Sequence, residues 1–217
     1  MDIIADPAGY APAPARDAMA GVVGPNAAIQ LAQALEARFG AHRARAVFQA
    51  AGFGALFDHP PRAMMDERIA AALFNTVERL FPPRQAQAIL TDAGRRTGAY
   101  ILAHRIPGFA QAILKRLPRR WAARALLTAI RKSAWTFAGS GLCRVRSGGV
   151  ILIDILANPI PSPDCAWHRG VFETLFRALI SPQTRVEHED CVRNGAPLCR
   201  FVITFGGSPT LSPVSAL

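Results

Sequence analysis

The sequence predicts an α+β domain, a helical N-terminal half packed on a small antiparallel sheet, and three observations carry that reading. Apolar residues recur at helical spacing from about residue 26 to residue 138, the period changes to two after Gly139-Ser140-Gly141, and one further helix separates two strand-like pairs. A length of 217 residues with 51% hydrophobic side chains is ample for a sizeable core. The expected organisation is a mobile tail at 1–20, a helical part at 21–138, an α/β part at 139–206 forming one compact domain with it, and a second tail at 207–217.

Taken in order, Gly24-Pro25-Asn26 starts a helix that Gly40 ends, with Ile29, Leu31, Leu35 and Phe39 on its apolar side. A second helix spans about 42–51, and the Gly52-Phe53-Gly54 turn behind it is too short to cradle a nucleotide. A third is expected over 62–80, where Ile69, Leu73, Val77 and Leu80 repeat. Pro82-Pro83 breaks it and opens a longer helix through His104, stopped at Pro107-Gly108. Gly94 and Gly98 inside that helix mark either a close helix crossing or room for a flat ligand.

The segment 118–138 reads as a single helix with Ala123, Leu126, Ile130, Ala134 and Phe137 on one face and Arg120, Arg124 and Arg131 on another. Trp121, Lys132 and Trp135 stand beside the arginines. Either the indoles pack on neighbours while the arginines snorkel, or both meet an anionic aromatic ligand or an interfacial membrane layer. Segments 142–146 and 150–156 form a hairpin across Ser147-Gly148-Gly149; a proline-rich linker then leads into a helix headed by Cys165, and a last hairpin follows Pro182.

The net charge is +10, and between residues 93 and 153 there is no Asp or Glu while 12 Lys and Arg fall there. A field of one sign attracts an anionic ligand, a membrane surface, nucleic acid or an acidic protein. No apolar run reaches the roughly 18 residues that span a bilayer, and the N-terminus lacks a secretory pattern. The expected location is the cytoplasm, with the periphery of the inner membrane as a variant, where thiols stay reduced.

Cys165, His188, Cys191 and Cys199 follow one another with 22, 2 and 7 residues between them. Zinc takes three thiolates and an imidazole tetrahedrally, and four protein ligands make a closed structural site. The final hairpin, turning at Asn194-Gly195, brings the last three together, while Asp164 is placed to cap the helix at Cys165. Glu187 and Glu189 flank His188 and compete with it for a ligand position. No dinucleotide fingerprint, Walker loop or nucleophile elbow is present, which points away from hydride transfer and nucleophilic hydrolysis. No helix-turn-helix accompanies the basic stripe, so no nucleic acid is expected.

The run from Val186 to Phe201, with its acidic residues, Cys191, Gly195, Cys199 and terminal aromatic, closely resembles the C-terminal signature of the four-vinyl-reductase domain family. In phenol-sensing regulators with this domain a zinc is held by Cys, Glu, Cys and Cys at the same gaps. That implies a structural zinc on Cys165, His188, Cys191 and Cys199, with His188 where those members have Glu. The rest of the chain looks like the small bacteriochlorophyll-biosynthesis members. The resemblance implies a fold like the TRAPP vesicle-tethering subunits, with an apolar ligand channel between helices and sheet, and a tetrapyrrole ligand such as a magnesium porphyrin. Tyr100, Phe109, Trp121 and Trp135 would meet the ring face, Arg95, Arg96, Arg105, Arg116, Arg120 and Arg124 the propionates, and His104 a central magnesium. The implied function is a carrier that assists bacteriochlorophyll biosynthesis, partnered by pathway enzymes such as magnesium chelatase or the methyltransferase; a homodimer also fits. The rival classes are a 4-vinyl reductase acting on divinyl chlorophyllide-type pigment, and a regulatory ligand-sensing or nucleic-acid-binding protein.

Overall fold

Residues 21–148 and 150–206 are described by the computed structural model, so the tails expected at 1–20 and 207–217 lie outside the described residues. Strand β1 (Val22–Val23) leads into helices α1 (Asn26–Phe39), α2 (Ala41–Ala50) and α3 (Ala55–Asp58). Strand β2 (Met65–Asp66) returns to pair antiparallel with β1, and α4 (Glu67–Leu80) and α5 (Pro83–His104) follow. Helices α6 (Gly108–Arg116), α7 (Arg119–Lys132) and α8 (Trp135–Ala138) lead to β3 (Leu142–Ser147) and β4 (Ile151–Leu156). Helix α9 (Ala166–Leu179) and strands β5 (Thr184–His188) and β6 (Leu198–Phe205) complete the fold. The larger sheet is antiparallel throughout in the order β3-β4-β6-β5.

Local chemistry sets the helix ends. Gly40 sits at φ +79°, a left-handed angle that costs glycine little, and its N–H returns to the Glu36 carbonyl at 2.8 Å. Helix α4 begins at Glu67 rather than at 62, because the Asp66 carboxylate accepts from the Arg68 N–H at 2.8 Å and caps it there. The segment 118–138 is not one helix. It breaks at Ser133, and beyond the break α8 is tied elsewhere: Thr136 O accepts from the Gly24 N–H at 2.8 Å, and Phe137 O meets His168 Nε2 at 3.1 Å.

Strand alternation puts Cys143, Ile153, Ile155, Cys199, Phe201, Ile203, Val186 and His188 on one face of the sheet, with Ile155 opposite Cys199 and His188 opposite Phe201. Helix α9 covers that face, where the Phe172 and Phe201 rings stand edge to face at 5.1 Å. On the other face Arg200 makes a two-pronged bond to Asp154 at 2.8 and 3.0 Å.

Helix α5 crosses α9 at backbone distance. A Cβ on Gly94 would collide with the Trp167 carbonyl, one on Gly98 would stand 2.7 Å from Thr174 Cβ, and one on Gly170 would stand 2.6 Å from the Thr91 carbonyl. The two α5 glycines are therefore filled by a neighbouring helix, and the reading of them as space for a flat ligand does not hold. Replacing Gly94 by Ala should destabilise the fold by about 3 kcal/mol, or roughly 6–12 °C in Tm, because the atom it meets is backbone. Gly108→Ala, with nothing within 4 Å, is the control and should leave Tm unchanged in the same thermal melts.

Candidate metal centre

Four donors converge where α9, β5 and β6 meet. Strand β5 delivers His188, Cys191 follows it, β6 delivers Cys199, and Cys165 immediately precedes α9. The chain reaches Cys165 through two successive left-handed residues, Asp164 at φ 53° and Cys165 at φ 40°. Such angles cost a non-glycine residue about 1–3 kcal/mol each and persist only where their surroundings hold them. Here they turn both side chains toward the hairpin. Asp164 does not cap α9 as expected. Its carboxylate accepts from Gln87 Nε2 at 2.8 Å, pairs with Arg169, and faces His188 Nδ1 at 3.2 Å.

The donor atoms of Cys165, His188, Cys191 and Cys199 all lie within 4.8 Å of one another. Sγ of Cys191 is 3.9 Å from that of Cys165 and 3.8 Å from that of Cys199. A tetrahedral zinc with Zn–S bonds of about 2.3 Å spaces its sulfurs by about 3.8 Å, so the thiols already stand at ligand separation. With Nδ1 turned to Asp164, His188 Nε2 is buried and lacks a hydrogen-bond partner among the described residues. That nitrogen faces the sulfurs of Cys199 and Cys191, so all four donors point at one another. A carboxylate behind the second ring nitrogen is the usual support of a metal-bound histidine. Glu187 and Glu189 are both exposed and stand outside the cluster. The residues present therefore fit a tetrahedral ion.

Hydrogen bonds divide the three thiols. Those to Cys191 and Cys199 hold the Cys165 proton and raise its pKa far above the ordinary thiol value. The bond from Cys165 lowers Cys199 to about 3 against burial, with help from His188, the Val192 N–H and Asn158. The same donor, with the Arg193 N–H, lowers Cys191 to about 7. Burial would pull His188 down, but the Asp164 carboxylate and the Cys199 sulfur beside it raise it to about 9.

Asn158 is a site residue that the sequence reading missed. It is buried, and its Nδ2 donates to Cys199 Sγ at 3.4 Å and to Cys165 Sγ at 3.8 Å while Oδ1 accepts from the Ile160 N–H at 3.1 Å. No spacing marks it in the sequence, where it opens the proline-rich linker that also carries Ser162. His168 stays apart: it is fully enclosed by Phe137, Trp167, Phe172 and Phe201, and burial lowers it to about 4.

The aromatic and basic candidates do not form one wall. Arg95 pairs with Glu173 at 3.3 Å and Arg96 with Asp92 at 3.2 Å. At the end of α5 the Tyr100 and His104 rings lie 4.7 Å apart, and the Arg105 guanidinium is 5.9 Å from the Tyr100 ring centre. Phe109 and Arg116 belong to α6; Arg120, Trp121 and Arg124 belong to α7, with the Arg124 guanidinium 5.8 Å from the Trp121 ring centre. Trp135 lies beyond the break at Ser133, half-buried in α8. The inner face of α7 is filled by Leu126, Leu127 and Ile130, which join the core with Ile153 and Ile155. Phe109 and Trp121 instead face outward at 65% and 63% exposure. Beside them a depression of about 440 Å³ is lined by Gly108, Gln111, Ala112, Lys115 and Arg116.

A metal entering the cluster must displace the protons held on Cys165 and His188. Uptake at neutral pH should release between two and three protons, since Cys191 is about half-protonated there, and affinity should rise with pH, less steeply above about 9 once His188 has lost its proton. Zinc titration in weak buffer followed with a pH dye measures this, and absence of release would mean that these groups do not ligate. Asp164→Asn and Asn158→Ala should each weaken metal affinity by about 10–100-fold in competition with a chelating dye, as outer-shell partners commonly do.

No protein-family model matches the chain. Solved structures with a similar fold include an H-NOX protein from S. oneidensis in the Fe(II)NO ligation state, 13% identical, with a TM-score of 0.52 over 85% of this chain and 100% of that one. The Fe(II) unliganded H-NOX protein from K. algicida gives 11% identity and a TM-score of 0.56 over 87% of this chain and 100% of that one. At such identity the likeness concerns the α+β fold alone. Two curated proteins are far more similar in sequence, both named bacteriochlorophyll synthase 23 kDa chain. The one from Cereibacter sphaeroides is 42% identical over 85% of this chain and 91% of its own length. The one from Rhodobacter capsulatus is 38% identical over 95% of this chain and 97% of its own. The chain belongs to their family, that of the BchJ-like bacteriochlorophyll synthase 23 kDa chain.

Proposed function

We propose that the protein binds a tetrapyrrole of bacteriochlorophyll biosynthesis, of the magnesium porphyrin or chlorophyllide type, and carries it between enzymes of that pathway, with a structural zinc on Cys165, His188, Cys191 and Cys199. The observation that carries the reading is the likeness to the two 23 kDa chains, at 42% and 38% identity over most of the sequence. Both are named as chains of a synthase, which supports partners among pathway enzymes, magnesium chelatase and the methyltransferase being candidates. The work is done in the cytoplasm; no described helix is long and apolar enough to cross a membrane.

The ligand is a flat apolar ring with carboxylates at its edge. Tyr100 and His104 at the end of α5, Phe109 on α6 and Trp121 on α7 offer ring faces, and Arg116, Arg120 and Arg124 offer guanidinium groups on α6 and α7. Arg95 and Arg96 reach a propionate only by leaving Glu173 and Asp92. Burying several hundred Å² of ring at roughly 25 cal/mol per Å² supports micromolar binding after association costs. The zinc takes no part in recognition. Four protein ligands leave it no open position, and its role is to hold α9 to the β5–β6 hairpin.

Mixing the purified protein with a magnesium porphyrin, with and without NADPH, tests the function. The expected result is a shifted Soret band and quenched tryptophan fluorescence without turnover, with affinity reduced about tenfold in Tyr100→Ala and in Arg120→Ala. Repeated conversion of a divinyl to a monovinyl pigment with NADPH or reduced flavin would replace the carrier by a 4-vinyl reductase. Metal analysis of the same protein should give close to one zinc, and Cys191→Ser should lower both metal content and Tm.

A further inference from the structure

Helix α6 buries none of its nine residues. Phe109, Ile113, Leu117 and Trp121 recur every fourth position through α6 and into α7, at 65%, 54%, 39% and 63% exposure. They are four of the seven large apolar side chains exposed among the described residues, Leu80, Leu142 and Val150 being the others, so the apolar exposure is concentrated on this corner. Lys115, Arg116, Arg119, Arg120 and Arg124 are interleaved with them and all exposed. Arg95, Arg96, Arg177, Arg193 and Arg200 each meet a carboxylate, whereas none of these five does among the described residues. The sequence supplies no Asp or Glu between residues 93 and 153 to neutralise them.

We propose that this α6–α7 corner docks the protein on an anionic lipid bilayer. Aliphatic and aromatic ends enter the acyl boundary, the Trp121 indole sits at headgroup level, and the five cations meet lipid phosphates. Lipid is favoured over an acidic protein because the corner presents apolar ends and exposed cations without a polar pattern to fix a partner's register. Its one amide, Gln111, is spent on the Leu102 and Ile106 carbonyls at 2.6 and 2.9 Å. The inference goes beyond the carrier reading and shares Phe109, Arg116, Arg120, Trp121 and Arg124 with it, while Ile113 and Leu117 lie outside the proposed ligand set and let the two be tested apart.

Co-sedimentation of the full chain with vesicles of phosphatidylcholine, alone or mixed with phosphatidylglycerol, tests it. The protein should bind the mixed vesicles, bind the zwitterionic ones at least about tenfold more weakly, and dissociate at high salt as the charges are screened. Ile113→Asp combined with Leu117→Asp should weaken vesicle binding at least about tenfold while Tm and porphyrin affinity are unchanged, because both side chains are exposed. Leu80→Asp, at an exposed leucine on α4, should bind vesicles as the parent does. Failure to bind mixed vesicles, or equal binding by the Ile113/Leu117 variant, overturns the proposal, as does an equal loss in Leu80→Asp. Vesicle binding without any porphyrin binding would overturn the carrier and leave the docking surface standing.

Discussion

The position of α9 against the last two strands depends on one buried point where side chains from three parts of the chain meet. Two left-handed residues in succession are costly by themselves, and they hold two sulfur–sulfur separations of 3.8 and 3.9 Å, the spacing of a tetrahedral zinc's thiolates, with the His188 imidazole beside them. They become intelligible together, because a cation at their centre would satisfy the nitrogen and the thiolates at once. Asp164 and Asn158 aim the imidazole and two of the sulfurs. From this anchor α9 lies over the inner face of the sheet and, through Gly94, Gly98 and Gly170, draws α5 into backbone contact. The end of α5 in turn sets where α6 and α7 emerge, since Gln111 ties α6 to the carbonyls of Leu102 and Ile106.

Much of this was legible in residue spacing. Three cysteines and a histidine around one hairpin identify the cluster, because ligand chemistry is carried by residue type and the hairpin by period and turn residues. The supporting Asn158 was not legible, and Asp164 was misread as a cap. Their roles come from a left-handed turn that spacing does not encode. The glycine pair in α5 was visible, but only Gly170 on α9, facing Thr91, decides that the pair is a crossing and not a cavity. The helical period runs unbroken through Ser133 in sequence, and neither the break nor the bonds from Gly24 and His168 that hold α8 beyond it are reported by periodicity. Helix α6 is nine residues long and buries none of them fully, and the two-residue strands β1 and β2 are too short for any period.

The charge distribution followed the same division. The acid-free stretch is a property of the sequence, but which of its cations are available is a property of the fold. Arg95 is neutralised from α9 by Glu173 and Arg96 by Asp92 one turn earlier, while the cations of α6 and early α7 remain exposed beside Phe109, Ile113 and Trp121. The basic segment thus separates into a part paired with carboxylates of α5 and α9 and a part that faces outward.

The central claim, that Cys165, His188, Cys191 and Cys199 form one tetrahedral centre on which this arrangement rests, is tested most directly by X-ray absorption at the zinc edge of the purified protein. The account predicts a first shell of three sulfurs at about 2.3 Å and one nitrogen at about 2.0–2.1 Å. A shell of oxygen and nitrogen alone, or a protein that purifies without metal and gains no stability when zinc is added, would contradict it.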